Sequence, residues 1–170
     1  MPFAYYENLD ERSRRTYRKS DRIRRVDLPD PVALLPLAPA VGAALAEESR
    51  PGLEAACQAL VDAVNGQLSA PSVEVHILER RPSNHQGELH GLYEPDEVTG
   101  GTARITVWMR TAKKDQVVKF RTFLRTLVHE LLHHLDYEHY RLEETFHTEG
   151  FYARESSLTR LLLGEKELPL

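Results

Sequence analysis

An α+β fold is predicted for this chain, with a small sheet of three or more strands packed on a long helix and a further helix near the C-terminus. Two patterns lead to this prediction. Between residues 72 and 111, hydrophobic and polar residues alternate in short segments, which is the two-residue period of half-buried strands. Between about residues 116 and 163, hydrophobic residues recur with the 3.6-residue period of amphipathic helices.

Composition indicates one ordinary globular domain. The chain has 170 residues, of which 41% are hydrophobic and 28% charged, enough for a domain with its own hydrophobic core. The net charge of −4 gives no global signal for nucleic acid or membrane. Cys57 is the single cysteine, so no disulfide forms within the chain. Neither a signal-peptide pattern nor a bilayer-length apolar segment is present, and we expect a cytoplasmic protein without membrane contact.

The first 30 residues are highly charged. Eight basic residues between positions 12 and 25 are interleaved with acidic ones, and the segment ends at residues 28–31, Leu-Pro-Asp-Pro. We therefore divide the chain into an N-terminal arm, residues 1–30, and a main domain, residues 31–170. Charge runs of mixed sign usually solvate a surface, which favours a solvated helix or a partly ordered arm. The alternative is a weak electrostatic contact of this basic arm with nucleic-acid phosphates.

The predicted strands of the sheet precede the long helix in the sequence. The predicted elements are a short irregular or helical piece (31–48), a helix (52–68), three strands (72–79, 88–94 and 103–111), a long helix (from 115 or 116 to between 137 and 140) and a last helix (151–163). A sheet that precedes such a helix can hold a peptide as an added strand along its edge.

The long helix carries His129-Glu130-Leu131-Leu132-His133, the pattern H-E-x-x-H. Residues four apart share one helix face, so His129 and His133 can bind one metal ion. A zinc ion in such a site lowers the pKa of a water molecule to about 7, and Glu130 can act as its general base. The neighbouring hydrophobic residues form a core-facing stripe that places the motif in the middle of the helix. The sequence therefore predicts a catalytic zinc site for amide hydrolysis.

A catalytic zinc ion needs a third protein ligand. Two later histidines, His139 and His147, are candidates. Three carboxylates are further candidates: Glu143, Glu144 and Glu149. His139 extends the motif to H-E-x-x-H-x-x-D-x-x-H, which resembles the metzincin pattern, but Asp136 replaces its glycine. A Met-turn is also excluded, because Met109 is the last methionine.

Several other residues near the motif have predicted roles. We expect Tyr152 to donate a hydrogen bond to the oxyanion of the tetrahedral intermediate, with Arg154 as a weaker candidate electrophile. Asp136 either accepts a hydrogen bond from a ligand histidine and fixes its tautomer or is a surface carboxylate. His134 points away from the ligand face and is expected at the edge of the core or on the surface.

The motif and its surroundings resemble the SprT-like and related small gluzincin-type zinc metallopeptidases. These proteins pair an H-E-x-x-H helix with a later histidine in an H-x-x-x-F-like context, which corresponds here to His147 and Phe151. The resemblance covers roughly residues 53–163 in element order. It ranks His147 first as third ligand, although Thr148 stands where the family often has glycine. It implies a zincin-like fold, one zinc ion, and hydrolysis of a peptide or protein substrate with Glu130 as base.

A second function is compatible with the same residues. The chain could be a zinc-binding module that contacts proteins or nucleic acids with little turnover. Glu130 favours the enzyme, because a purely structural or binding site has no chemical need for a general base beside its ligands.

Overall fold

The computed structural model describes residues 1–165, and the last five residues of the predicted main domain, 166–170, lie outside them. The helices are α1 (Glu11–Arg22), α2 (Leu37–Ala46), α3 (Arg50–Leu68), α4 (Asp96–Thr99), α5 (Phe120–Glu138) and α6 (Glu149–Leu162). The strands are β1 (Val73–Arg80), β2 (Ser83–Asn84), β3 (Gly87–Glu88), β4 (Gly91–Glu94) and β5 (Ala103–Arg110). Short 3₁₀-helices lie at Ala4–Asn8 and Pro31–Leu34. The predicted α+β class is confirmed.

The main sheet has three strands in the order β1-β5-β4. Strand β5 pairs in parallel with β1 and antiparallel with β4, so β4 forms one edge. Strand β5 is the central strand and is buried along nearly all its length, in contact with α5 and α4. The predicted strand at residues 88–94 is only partly correct, since Glu88 belongs to a separate β2–β3 hairpin and the edge strand starts at Gly91.

Helix α5 begins four or five residues later than the sequence predicts. Before it, the chain turns at Asp115, which has a positive φ of 51°. The following residues return along the end of β5: Gln116 accepts a hydrogen bond from the Thr111 amide and the Val118 amide donates to Met109. These backbone groups are therefore bonded to β5 and are not free to form the first turn of a helix.

The charged N-terminal segment contains a helix that packs against α6. Asp10 caps α1 by accepting a hydrogen bond from the Ser13 amide. Tyr17 and Ser20, on the inner face of α1, are buried. The segment is thus joined to the rest of the fold by buried contacts, while a functional boundary at residue 30 stays a prediction.

Helix α5 lies between the sheet and α6, and its hydrophobic face is fully buried. The core residues on this helix are Phe123, Leu124, Leu127, Val128, Leu131, Leu132 and Leu135. His134 is also buried, because its ring lies between the Tyr93 hydroxyl and the Pro71 carbonyl and bonds both. This packing fixes the rotation of α5 and turns the face with His129 and His133 away from the core. Within residues 1–165, no helix combines the length and apolar character needed to cross a membrane.

Candidate metal centre

Three histidine side chains converge beside α5. His129 and His133 project from one face of the helix, and their Nε2 atoms lie 3.2 Å apart. His147, from the loop between α5 and α6, brings its Nε2 atom to 3.1 Å from that of His133. The three nitrogens lie within 4.8 Å of one another, close enough to hold a metal ion.

The other candidate ligands lie outside this group of three. His139 is exposed at the end of α5. Glu143 pairs with Arg12 at 2.7 Å, and Glu144 accepts a hydrogen bond from the Tyr137 hydroxyl at 3.4 Å. The loop between α5 and α6 therefore brings His147, and not these side chains, to the other two histidines.

Hydrogen bonds fix the tautomers of both helix histidines. His129 donates from Nδ1 to the Glu155 carboxylate at 2.7 Å. His133 Nδ1 lies 2.7 Å from the Thr145 hydroxyl, which itself donates to Asp136 at 2.8 Å. Because that hydroxyl has one hydrogen, it must accept from His133 Nδ1. Both Nε2 atoms therefore carry lone pairs directed into the space between the histidines.

This donor set fits a metal ion. Two lone pairs facing each other at 3.2 Å repel unless a cation lies between them. A tetrahedral zinc ion with zinc–nitrogen distances of about 2.0–2.1 Å would separate its nitrogen ligands by about 3.3 Å. Burial, together with the neighbouring His129 and His147 rings, lowers the pKa of His133 to about 3. His133 is therefore neutral at physiological pH, the state that binds metal.

Glu130 lies next to the histidines on α5 and is 7% exposed. Burial raises its pKa to about 7, although His129 acts in the opposite direction. The backbone of β4 approaches this side chain closely at Gly91. A Cβ atom there would lie 2.9 Å from both Glu130 Cγ and Thr126 Cγ2. Glycine is therefore the residue that fits between the edge strand and the predicted general base.

A buried ion pair lies behind the histidines. Arg154 and Asp136 are both 0% exposed, with Nη2 and Oδ1 3.0 Å apart. Arg154 also donates to the Ser20 and Ile23 carbonyls at 2.8 and 2.6 Å. The prediction of Arg154 as an electrophile is wrong, because the pairing buries its guanidinium behind the site. Asp136 does not bond His133 directly. It accepts a hydrogen bond from the Thr145 hydroxyl, which accepts one from His133, so it is a more distant partner than the sequence suggested.

The N-terminal segment holds the loop that supplies His147. The Tyr5 hydroxyl donates to the His147 carbonyl at 2.8 Å. Asp21 accepts a hydrogen bond from the Gly150 amide at 2.9 Å, just inside the start of α6. A Cβ atom at Gly150 would lie 2.5 Å from the Asp21 carbonyl oxygen, so this contact requires glycine. The sequence does not identify these partners, because contacts between residues 129 and 142 positions apart leave no local pattern.

Tyr152 lies at the rim of the site. Its ring centroid is 5.8 Å from that of His147 and 6.5 Å from that of His129, and the side chain is 41% exposed. Its predicted hydrogen bond to an oxyanion stays a prediction. Glu155, which orients His129, was missed because it lies 26 residues further along the chain and no spacing rule connects the two.

Two grooves meet at Gly91, His129 and Glu130. The first, here called the Arg125 groove, has a volume of about 430 Å³. Its remaining lining residues are Glu88, His90, Thr122, Arg125, Thr126 and Glu155. The second, the Tyr137 groove, has a volume of about 420 Å³. Its remaining lining residues are Leu92, Tyr93, Pro95, His133, Tyr137, Thr145 and His147.

A larger apolar cavity of about 600 Å³ lies elsewhere, between α2 and the ends of α5 and α6. None of the three histidines lines it, and it contains no titratable side chain. The histidines and Glu130 therefore line the two grooves and not this apolar cavity.

Comparisons of the chain with protein-family models, with curated proteins and with solved structures give no match. The geometry of the histidines and of Glu130 is therefore the basis for assigning a function.

Proposed function

We propose that this chain is a zinc-dependent metallopeptidase of the zincin type, similar to the SprT-like and small gluzincin-type enzymes. One observation carries the proposal: three imidazoles converge on one point with Glu130 beside them. The edge strand β4 passes directly over that carboxyl group at Gly91. Metal ligands, a neighbouring general base and an open strand edge are the parts that metal-assisted peptide hydrolysis requires.

Zinc is the metal that this donor set favours. Three neutral imidazoles and one open position are typical of catalytic zinc sites. A bound zinc ion supplies a Lewis acid, which polarises a carbonyl group and lowers the pKa of water. The Glu155 carboxylate and the Thr145 hydroxyl hold His129 and His133 in the tautomers that this binding needs.

The chain's own residues then move the protons. Glu130 accepts a proton from the attacking water and later delivers it to the leaving amine. Its burial keeps bulk water away from this transfer. Tyr152, at the rim, donates a hydrogen bond to the carbonyl oxygen as negative charge develops there.

The proposed substrate is a peptide or an extended segment of a protein. One edge of β4 pairs with β5, and the other is not paired within the described sheet. A substrate strand that pairs with this edge would pass beside Gly91, where the scissile bond comes close to Glu130.

Two measurements test the proposal. Elemental mass spectrometry of the purified protein should find about one zinc ion per chain. Glu130→Gln should keep that zinc and lower peptide cleavage by about 10³-fold, because it removes the base without removing a ligand. Glu138→Gln, on the same helix but outside both grooves, is the matched control and should cleave at the parent rate. Absence of metal after zinc addition and dialysis, or full activity of Glu130→Gln, would overturn the proposal.

A basic groove supports the second candidate, a zinc-binding module that contacts nucleic acid. Arg12, Arg15, Lys19 and Arg141 line a groove of about 230 Å³ in which Glu143 is the single acidic residue. These side chains lie on α1 and on the turn that follows α5, so phosphates could bind next to the loop of the third histidine.

Fluorescence anisotropy with single-stranded DNA at low salt tests this second candidate. Binding should weaken steeply with salt and fall in an Arg15→Glu and Lys19→Glu double variant. Lack of binding at low salt would exclude the nucleic-acid contact and would not affect the peptidase proposal.

A cytoplasmic location stays an expectation.

A further inference from the structure

The two grooves that meet at Glu130 differ in charge, and this difference bears on which peptides the site accepts. Arg125 lies four residues before His129 on α5, so its side chain shares the face of the helix that carries the two histidines. One turn of helix separates it from His129, about 6 Å along the axis. Arg125 is exposed and lines the groove that opens at His129 and Glu130.

Arg125 makes no hydrogen bond or ion pair with any residue between 1 and 165, whereas the carboxylates around it are engaged. Glu88 binds Arg81 at 3.2 Å through one oxygen and the Ala112 amide at 3.1 Å through the other. Glu155 accepts the hydrogen bond from His129 Nδ1. Arg125 is therefore the cation lining this groove that has no hydrogen-bond or ion-pair partner among residues 1–165.

Two further titratable groups face the Arg125 groove. Burial, and then Arg81, lower the pKa of His90, so this histidine is neutral at physiological pH. Glu130 also lines this groove and, in the proposed function, serves the chemistry. Neither group makes a hydrogen bond or an ion pair with Arg125.

The Tyr137 groove, on the other side of the histidines, has no basic side chain besides the histidines themselves. Tyr93 and Tyr137 stack there with ring centroids 6.4 Å apart, and Leu92 and Pro95 complete an apolar wall. A peptide that crosses the histidines therefore meets an unpaired cation on one side and an aromatic, apolar surface on the other.

We infer that the Arg125 groove is a subsite for a substrate carboxylate. The inference rests on the proposed peptidase function and adds to it a substrate class: peptides that carry a carboxylate on one side of the scissile bond and an apolar side chain on the other. A guanidinium binds a carboxylate through two parallel hydrogen bonds, which favours this ligand over an amide of the same shape. The carboxylate belongs either to an Asp or Glu side chain or to the C-terminus of the peptide.

Fluorogenic peptides test the inference with the zinc-loaded full chain. A single Glu, Gln or Lys is moved through the three positions on each side of an apolar residue, and every peptide is made with a free and with an amidated C-terminus. At one position, kcat/KM for Glu should exceed that for Gln by about tenfold. The ratio should fall to about one in Arg125→Gln, and Arg125→Glu should prefer Lys. If the Glu to Gln ratio is about one at every position, and amidation lowers kcat/KM by about tenfold in the parent but not in Arg125→Gln, the C-terminal carboxylate is the ligand.

Arg121→Gln is the matched control. Arg121 lies four residues before Arg125 on α5, pairs with Glu165 and does not line the groove. This variant should keep the Glu to Gln ratio of the parent.

Binding keeps this test separate from the test of catalysis. The same peptides are titrated by calorimetry into zinc-loaded Glu130→Gln, alone and combined with Arg125→Glu. Absence of cleavage would overturn the proposed function, whereas a Kd ratio of Glu to Gln peptides that Arg125→Glu leaves unchanged would overturn the subsite. If Glu130→Gln prefers the Glu peptide and the combined variant binds the Glu and Gln peptides equally, the subsite is supported, whether or not the parent cleaves.

Discussion

Replacing Arg154 by Met tests whether the buried ion pair behind the histidines stabilises the fold. Met nearly matches the length of the arginine side chain and fills most of its volume, so the change removes charge and hydrogen bonds more than packing. Four hydrogen bonds disappear: the one to Asp136 at 3.0 Å, those to the Ser20 and Ile23 carbonyls at 2.8 and 2.6 Å, and the one to the Ser20 hydroxyl at 3.2 Å. The carboxylate of Asp136 then stays buried with Thr145 as its hydrogen-bond donor.

The expected loss in free energy of unfolding is about 4 kcal/mol. Removing one partner of a buried ion pair costs about 3–5 kcal/mol, because the remaining charge is uncompensated. The part-buried Ile23 carbonyl adds to this loss, since an acceptor left without a donor costs up to about 1–3 kcal/mol, whereas the Ser20 carbonyl keeps the Ile23 amide as its donor. Protonation of Asp136 would reduce the loss in free energy of unfolding, because it removes the buried charge. Burial already raises the pKa of this carboxyl group to about 6. A domain with about 5–15 kcal/mol of stability should still fold after such a change.

Urea unfolding of the metal-free protein measures this loss, with the fluorescence of Trp108, the single tryptophan, as the signal. Metal must be absent, because a ligand that binds only the folded state would add its own contribution. Arg160→Met, on the same helix but partly exposed, is the matched control and should change stability by less than about 0.5 kcal/mol. The double variant with Asp136→Asn should lose only about 2 kcal/mol, because it leaves no buried charge.

Two results would refute this reasoning. A loss below about 1 kcal/mol in Arg154→Met would mean that the pair contributes no more than a surface pair. A double variant as unstable as the single one would show that the charge of Asp136 is not the source of the loss.

Three further predictions concern the site itself. His147→Ala should weaken zinc binding by more than about 100-fold in a chelator competition, whereas His139→Ala should stay within about twofold; the opposite ranking would reassign the third ligand. Gly91→Ala should lower kcat by about tenfold or more at unchanged zinc content, because its Cβ would lie 2.9 Å from Glu130 Cγ and displace that side chain. Parent activity would contradict this contact. Tyr5→Phe should weaken zinc binding about threefold through loss of the 2.8 Å hydrogen bond to the His147 carbonyl. Identical affinities would show that the N-terminal segment does not position the loop.

Local patterns were sufficient for most of the helices and strands. The predicted strand at residues 103–111 corresponds to Ala103–Arg110, and the predicted helix at 52–68 corresponds to Arg50–Leu68. Hydrophobic periodicity predicted these two elements because the residues that form the buried face of each element lie close together in the sequence. It failed at residues 115–119, where helix-compatible residues bond instead to the end of β5. A partner strand outside the segment overrode the local preference.

The same distinction between local sequence and tertiary packing applies to the candidate metal centre. The pairing of His129 with His133 follows from the sequence, because four residues of α-helix place two side chains on one face wherever that helix lies. The choice of His147 over His139 depends on the path of a loop that the N-terminal segment holds through Tyr5. The bond from Glu155 to His129 depends on how α6 packs against α5. Helical spacing is set by hydrogen bonds between near neighbours, whereas contacts between segments 26 to 142 residues apart exist only after the core has packed.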